Sequence, residues 1–115
     1  MGFVVKLIIT AVAAMLGAYL LPGVHIGGIG SALILALVLA VLNFIVRPIL
    51  VLFTIPVTLL TLGLFLLVIN AVIILLASYI MGSGFSVDNF WWALLFSILL
   101  SIITAILDAI FGPAD

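Results

Sequence analysis

Ile29-Gly-Ser-Ala-Leu-Ile-Leu-Ala-Leu-Val-Leu-Ala-Val-Leu-Asn-Phe-Ile-Val46 carries no charged side chain, and Arg47-Pro48 follows it directly. At about 1.5 Å of rise per helical residue, a run of this length crosses nearly all of a hydrocarbon core roughly 30 Å thick. The same character extends outward on both sides. Of 115 residues only Lys6, Arg47, Asp88, Asp108 and Asp115 are formally charged, and 70% are hydrophobic. Soluble domains keep about a quarter of their residues charged, so the lipid bilayer must be the solvent of this chain.

Applied along the whole sequence, this reasoning gives four spans in a single membrane domain, 1–115. The first covers about 3–21 and ends at Pro22-Gly23; the second covers about 29–46 and ends at Arg47-Pro48. The third covers about 57–81 and the fourth about 90–111, with Gly82-Ser83-Gly84 between them and Gly112-Pro113 after. Pro48-Ile-Leu-Val-Leu-Phe-Thr-Ile-Pro56 is apolar but too short to cross. Joined to the third span it would form a straight helix roughly 50 Å long. A bend near Pro56 is therefore expected, with 48–56 as a short interfacial or re-entrant segment. The expected fold is an all-α membrane protein of four transmembrane helices.

Composition also excludes several functions. A net charge of −1 gives nucleic acid no electrostatic foothold. With no cysteine, disulfides, thiolate metal sites and a cysteine nucleophile are all ruled out. A single histidine, His25, and scattered acids cannot assemble a hydrolytic or metal centre, and no phosphate loop is present. The reading is a protein with no enzymatic activity and no cofactor. Ala11-Val12-Ala13 resembles a signal-peptidase site, but Lys6 lies too close to it for the apolar core of about 7–15 residues that such a signal requires. The segment is expected to be retained.

The two halves repeat each other. Leu7-Ile-Ile-Thr-Ala-Val12 parallels Leu67-Val-Ile-Asn-Ala-Val72, and Tyr19 matches Tyr79. After one inserted residue, Gly23, Ile26, Ile29 and Ala32 match Gly84, Val87, Phe90 and Ala93. Two tandem helical hairpins are expected, related by an approximate two-fold axis along the membrane normal as a parallel repeat. Small residues spaced four apart, Ala32, Ala36 and Ala40 on the second span and Ala93, Ser97 and Ser101 on the fourth, are expected to face each other as packing ridges.

Polar residues are few enough to treat singly. Arg47 aligns with Asp108 and Asn43 with Thr104, so each even-numbered span carries a polar pair near one end, and an Arg47–Asp108 ion pair is the sharp expectation. The alternative is that both merely anchor their helices at the interface. Asn70 lies inside the third span, where its amide needs a partner on another helix. His25 reads as a solvated loop residue, and Trp91, Trp92 and Tyr79 as headgroup-level anchors.

Asn43-x-x-x-Arg47-Pro48, Pro56-x-Thr58-x-x-Thr61-Leu-Gly-Leu-Phe65, Ile69-Asn-Ala71 and Gly84-Phe-Ser-Val87 together resemble the phage holin family 4 proteins, the mycobacterial four-transmembrane phage holin superfamily. The resemblance spans nearly the whole chain. It implies a small multi-pass bacterial membrane protein of a family in which most members have no assigned role. The chain ends in Gly112-Pro-Ala-Asp115 rather than in the charge-rich tail usual in lytic holins. One functional reading is a protein that self-associates, a dimer being the simplest case, or supports other envelope proteins. The other is a small transporter or channel subunit with Arg47, Asp108 and 48–56 lining a path between protomers. Too few polar residues line any single face for a water-filled pore within one chain.

Lys6 and Arg47 fall on one side of the four-span arrangement, and His25 and Asp88 on the other. The positive-inside rule therefore places both termini in the cytoplasm of a bacterial cell, with the protein in its cytoplasmic membrane. Single cysteines introduced at Gly27 and Ser86 are expected to react with an impermeant thiol reagent added outside; labelling from the cytoplasmic side alone would reverse the orientation.

Overall fold

The computed structural model describes residues 2–61 and 63–111. The chain order is α1 (Gly2–Leu20), β1 (Val24–Ile26), α2 (Ile29–Phe53), α3 (Ile55–Leu60), α4 (Phe65–Met81), a single 3₁₀ turn (Gly82–Gly84), β2 (Phe85–Val87) and α5 (Phe90–Phe111). Four segments, Gly2–Leu20, Ile29–Phe53, Phe65–Gly84 and Phe90–Phe111, are long and apolar enough to cross a membrane. Gly112-Pro113, Asp115 and Leu62 lie outside the described residues.

Two boundaries differ from the sequence reading, for one reason. The helix of the second span does not stop at Arg47-Pro48: α2 runs on through Pro48 to Phe53. Pro48 has no N–H to return to the carbonyl four residues earlier, a local cost, but ending the helix there would strand several backbone groups among apolar side chains. The break instead falls where side chains can satisfy the exposed ends. The Thr54 hydroxyl donates to Leu50 O at 2.7 Å, and the Thr54 N–H reaches the same carbonyl at 3.1 Å.

Pro56 then sits in the first turn of α3, the short non-spanning helix, which is displaced toward the C-terminus of the expected 48–56 segment. A second break follows at Gly63, whose φ of 89° suits glycine. The Thr61 hydroxyl donates to Val57 O at 3.0 Å and accepts from the Phe65 N–H at 3.1 Å, so α4 begins at Phe65 rather than near 57.

The four long helices form a ring. α1 packs on α2 and α5, and α4 packs on α5 and α2, which leaves α1 opposite α4 and α2 opposite α5. Leu35, Phe85 and Phe96 are the largest fully buried side chains, and the Phe85 and Phe96 rings meet with centroids 5.5 Å apart. The outward surface is apolar: Phe44, Leu60 and Leu64 are exposed, as lipid-facing groups should be. Tyr19 and Tyr79, matched in the repeat, are both exposed at the end of the bundle where the strands lie.

At that end β1 and β2 form an antiparallel ribbon that composition gave no hint of. Its register pairs Val24 with Val87, His25 with Ser86 and Ile26 with Phe85. His25 and Ser86 occupy equivalent places in the repeat, so the local axis passes between them. The flanking bonds obey the same symmetry: Gly27 N–H donates to Gly84 O at 3.0 Å, and Asp88 N–H to Gly23 O at 2.9 Å, each pair mapping onto the other. The two hairpins are thus joined about a pseudo-two-fold axis that runs down the centre of the helix ring.

The small-residue ridges do not face each other across that axis. Ala32 and Ala36 of α2 pack with Ala11 of α1, beside Leu7 and Met15, because α2 and α5 stand on a diagonal of the ring. Ala93 and Ser97 are buried on α5, whereas Ala40 is half-buried and Ser101 exposed. The ribbon end has its own close approach: a Cβ at Gly23 would lie 2.1 Å from the Trp92 ring. Gly23→Ala is therefore expected to lower stability by about 1–3 kcal/mol, as overpacking does. Gly30→Ala, where a Cβ meets nothing within 4 Å, should be close to neutral in the same detergent unfolding titration.

Candidate polar recess

The polar side chains of the spans recur three or four residues apart: Lys6 and Thr10 on α1, Asn43 and Arg47 on α2, Ser97, Ser101, Thr104 and Asp108 on α5. That spacing puts each set on one face of its helix. The ring turns these faces, together with Asn70 of α4, toward its axis at the end remote from the ribbon. They line a recess with two lobes. The larger, of about 580 Å³, lies between α1, α2 and α5 and includes Lys6, Thr10, Asn43, Ser101, Thr104 and Asp108. The smaller, of about 120 Å³, lies between α2, α4 and α5 and includes Asn43, Arg47, Asn70, Ser97 and Ser101.

The lobes are related by the same pseudo-two-fold. Leu39 matches Leu100, Asn43 matches Thr104, Ala36 matches Ser97, and Thr10 matches Asn70 in the repeat. Leu39, Asn43, Leu100 and Ser101 border both lobes, so the shared wall sits on the axis. Toward the ribbon the recess gives way to fully buried side chains, Leu35 and Phe96 one residue before Ala36 and Ser97, and then Phe85 and Val24. A separate hollow at the ribbon end, lined by Met15, Tyr19 and His25 among others, shares no residue with either lobe.

The charged groups pair differently from the expectation. Lys6 Nζ donates to Asp108 Oδ2 at 2.8 Å, linking α1 to α5. Arg47 Nη1 donates to Asn70 Oδ1, linking α2 to α4. Arg47 and Asp108 form no ion pair with each other, since α2 and α5 are diagonal and each charge meets the helix beside it. Asn70 thus has its partner on another helix. His25 is not merely solvated: its Nε2 lies 3.0 Å from Asp88 Oδ1 across the ribbon end.

Lys6 was legible as a topology signal but not as the partner of Asp108, and Ser97 and Ser101 as packing residues but not as polar lining. The signal that could have found them is the shared face: no single helix has enough polar groups to line a recess, but four helices turned to one axis do. Among the described residues, no three His, Cys, Asp or Glu side chains cluster as a metal site would require. The lining groups offer hydrogen bonding and charge.

The family described as mycobacterial 4 TMS phage holin, superfamily IV, matches residues 1–106. An uncharacterised membrane protein of Bacillus subtilis, YvlD, is 45% identical over 82 residues, which cover 71% of this chain and 69% of that one. An uncharacterised Streptomyces coelicolor protein, SCO3922, is 36% identical across 99% of this chain and 98% of its own length. No solved structure matches.

Double-mutant cycles separate the two polar links. Arg47 and Asn70 are expected to couple by about 1.5–3 kcal/mol, the range for hydrogen bonds to charged groups. Lys6 and Asp108, about half and a third exposed, should couple by less than about 1 kcal/mol after solvent screening. Arg47 and Asp108 should show no coupling in detergent unfolding measurements.

Proposed function

Since the chain belongs to the mycobacterial 4 TMS phage holin superfamily IV, and since its polar groups converge on a recess at the end of the helix ring remote from the ribbon, we propose that it is a non-enzymatic, non-lytic membrane protein that receives a polar group at one membrane face and passes nothing across. The buried layer of Leu35 and Phe96, closed off by Phe85 and Val24 of the ribbon, carries this reading. A lytic pore needs a polar lumen through the whole bilayer, and the polar lining here stops at Ala36 and Ser97.

Membrane and orientation belong to the same proposal. Apolar helical spans suit the bacterial cytoplasmic membrane, and Lys6 and Arg47 at the mouth favour a mouth facing the cytoplasm. We favour a space within one chain over a path between protomers, because Arg47 and Asp108 border the recess and the 48–53 stretch continues α2. The ridge formed by Ala32 and Ala36 is used within the chain against α1, which removes it as a dimer contact. Support of other envelope proteins, through what the recess holds, is the role that fits.

The test is to induce the gene in a bacterium that holds a cytoplasmic endolysin unable to cross the membrane alone, following turbidity and membrane potential. Steady turbidity and an intact potential at modest expression are expected. Abrupt, timed lysis would overturn the one-ended recess and restore a lytic role.

A further inference from the structure

Charge balance in the recess is incomplete. Lys6 is matched by Asp108 at 2.8 Å. Asp88 is at the far end, 3.0 Å from His25. Arg47, half-buried, has only the neutral Asn70 amide oxygen as partner, and among the described residues no carboxylate reaches it. Among the described residues, the recess thus holds one positive charge that no carboxylate matches. A half-buried guanidinium with no countercharge beside it attracts an incoming anion.

Resting on the one-ended recess proposed above, we infer that the recess binds the phosphate of an anionic amphiphile, with Arg47 as its principal ligand. The guanidinium offers five N–H donors in a planar fork suited to phosphate oxygens, and Asn70 takes up only part of that capacity. Asn43, one turn earlier on α2, and Ser101 across the axis on α5 share the lining with Arg47 and supply neutral donors. Depth favours phosphate over a carboxylate. Arg47 stands about 27 Å along α2 from its ribbon end at Ile29, close to the far boundary of the hydrocarbon core, where lipid phosphates reside.

The lining favours an amphiphile over a free ion. Leu39 and Leu100 border both lobes, and Phe3 and Leu7 of α1 border the larger one. Such a surface suits a molecule with apolar carbons next to its charged head. A free phosphate would gain nothing from those walls.

The protein is reconstituted in nanodiscs of equal phosphatidylglycerol and phosphatidylcholine, and the lipid retained on release is counted by native mass spectrometry. Wild-type protein should retain phosphatidylglycerol in preference to phosphatidylcholine. Arg47→Gln should weaken that retention roughly tenfold, equivalent to about 1.4 kcal/mol, and Arg47→Lys should weaken it less. Competition of inorganic phosphate with phosphatidylglycerol would support the phosphate chemistry. Retention of inorganic phosphate without any lipid preference would overturn the amphiphile and assign the site to a soluble phosphate. Equal retention of both lipids, with no effect of phosphate, sinks the proposal altogether. The wild-type comparison needs no variant, so a misfolded Arg47→Gln protein leaves the test intact. Lysis in the endolysin experiment would defeat the one-ended recess itself; indifference to lipid charge defeats only this ligand.

Discussion

The backbone pairing of Val24–Ile26 with Phe85–Val87 sets the position of every helix, because it ties the far ends of both hairpins around one axis. Val24 and Phe85 are buried, and buried peptide N–H and C=O groups with no partner are costly, so the two loops come together by satisfying one another. The Gly27–Gly84 and Asp88–Gly23 bonds complete that pairing on each side. Gly23 allows Trp92 to lie against the loop, and the Phe85 ring anchors the ribbon to Phe96 below. With the ribbon fixed, α1 and α4 descend on one diagonal and α2 and α5 on the other.

That arrangement decides where polarity can be tolerated. Near the ribbon, small and aromatic side chains fill the axis completely, as Ala14, Ala93 and Phe96 show. Farther away the axial positions are Asn43, Asn70, Ser101 and Thr104, and the helices there enclose space instead of packing. Polar groups on the outside of the ring would each lose their hydration to hydrocarbon. Turned inward they share partners, and the Lys6–Asp108 and Arg47–Asn70 links bind neighbouring helices where the core is absent.

Much of this was legible in the sequence and some was not, for definite reasons. Span number, the tandem repeat and the bend near Pro56 follow from apolar run lengths, matched residues and proline geometry. Arg47-Pro48 looked like a helix end because proline usually marks one in water, where freed carbonyls find partners; in lipid they do not, and α2 continues to Phe53. The ribbon escaped notice because three-residue strands leave no periodic signal. The pairing of Lys6 with Asp108 depends on which helices are adjacent in the ring, a fact that no single span contains. Arg47 and Asp108 were correctly matched as equivalents, yet equivalence across a two-fold axis puts them on a diagonal.

Equivalent positions carry opposite charges, and this has an evolutionary consequence. Two identical hairpins assembled about a true two-fold would present either two arginines or two aspartates to the shared cavity, since an isologous pair repeats every residue. Like charges facing one low-dielectric space repel, and neither choice yields a cation on one side and an anion on the other. Joining both hairpins in one chain releases them from that identity. One lobe could then settle its charge internally, Asp108 with Lys6, while the other kept Arg47 available for a molecule from outside. A duplicated gene whose copies have diverged at matched positions, Arg47 against Asp108 and Lys6 against Leu66, can thus build an electrically polarised cavity that a homodimer of hairpins could not.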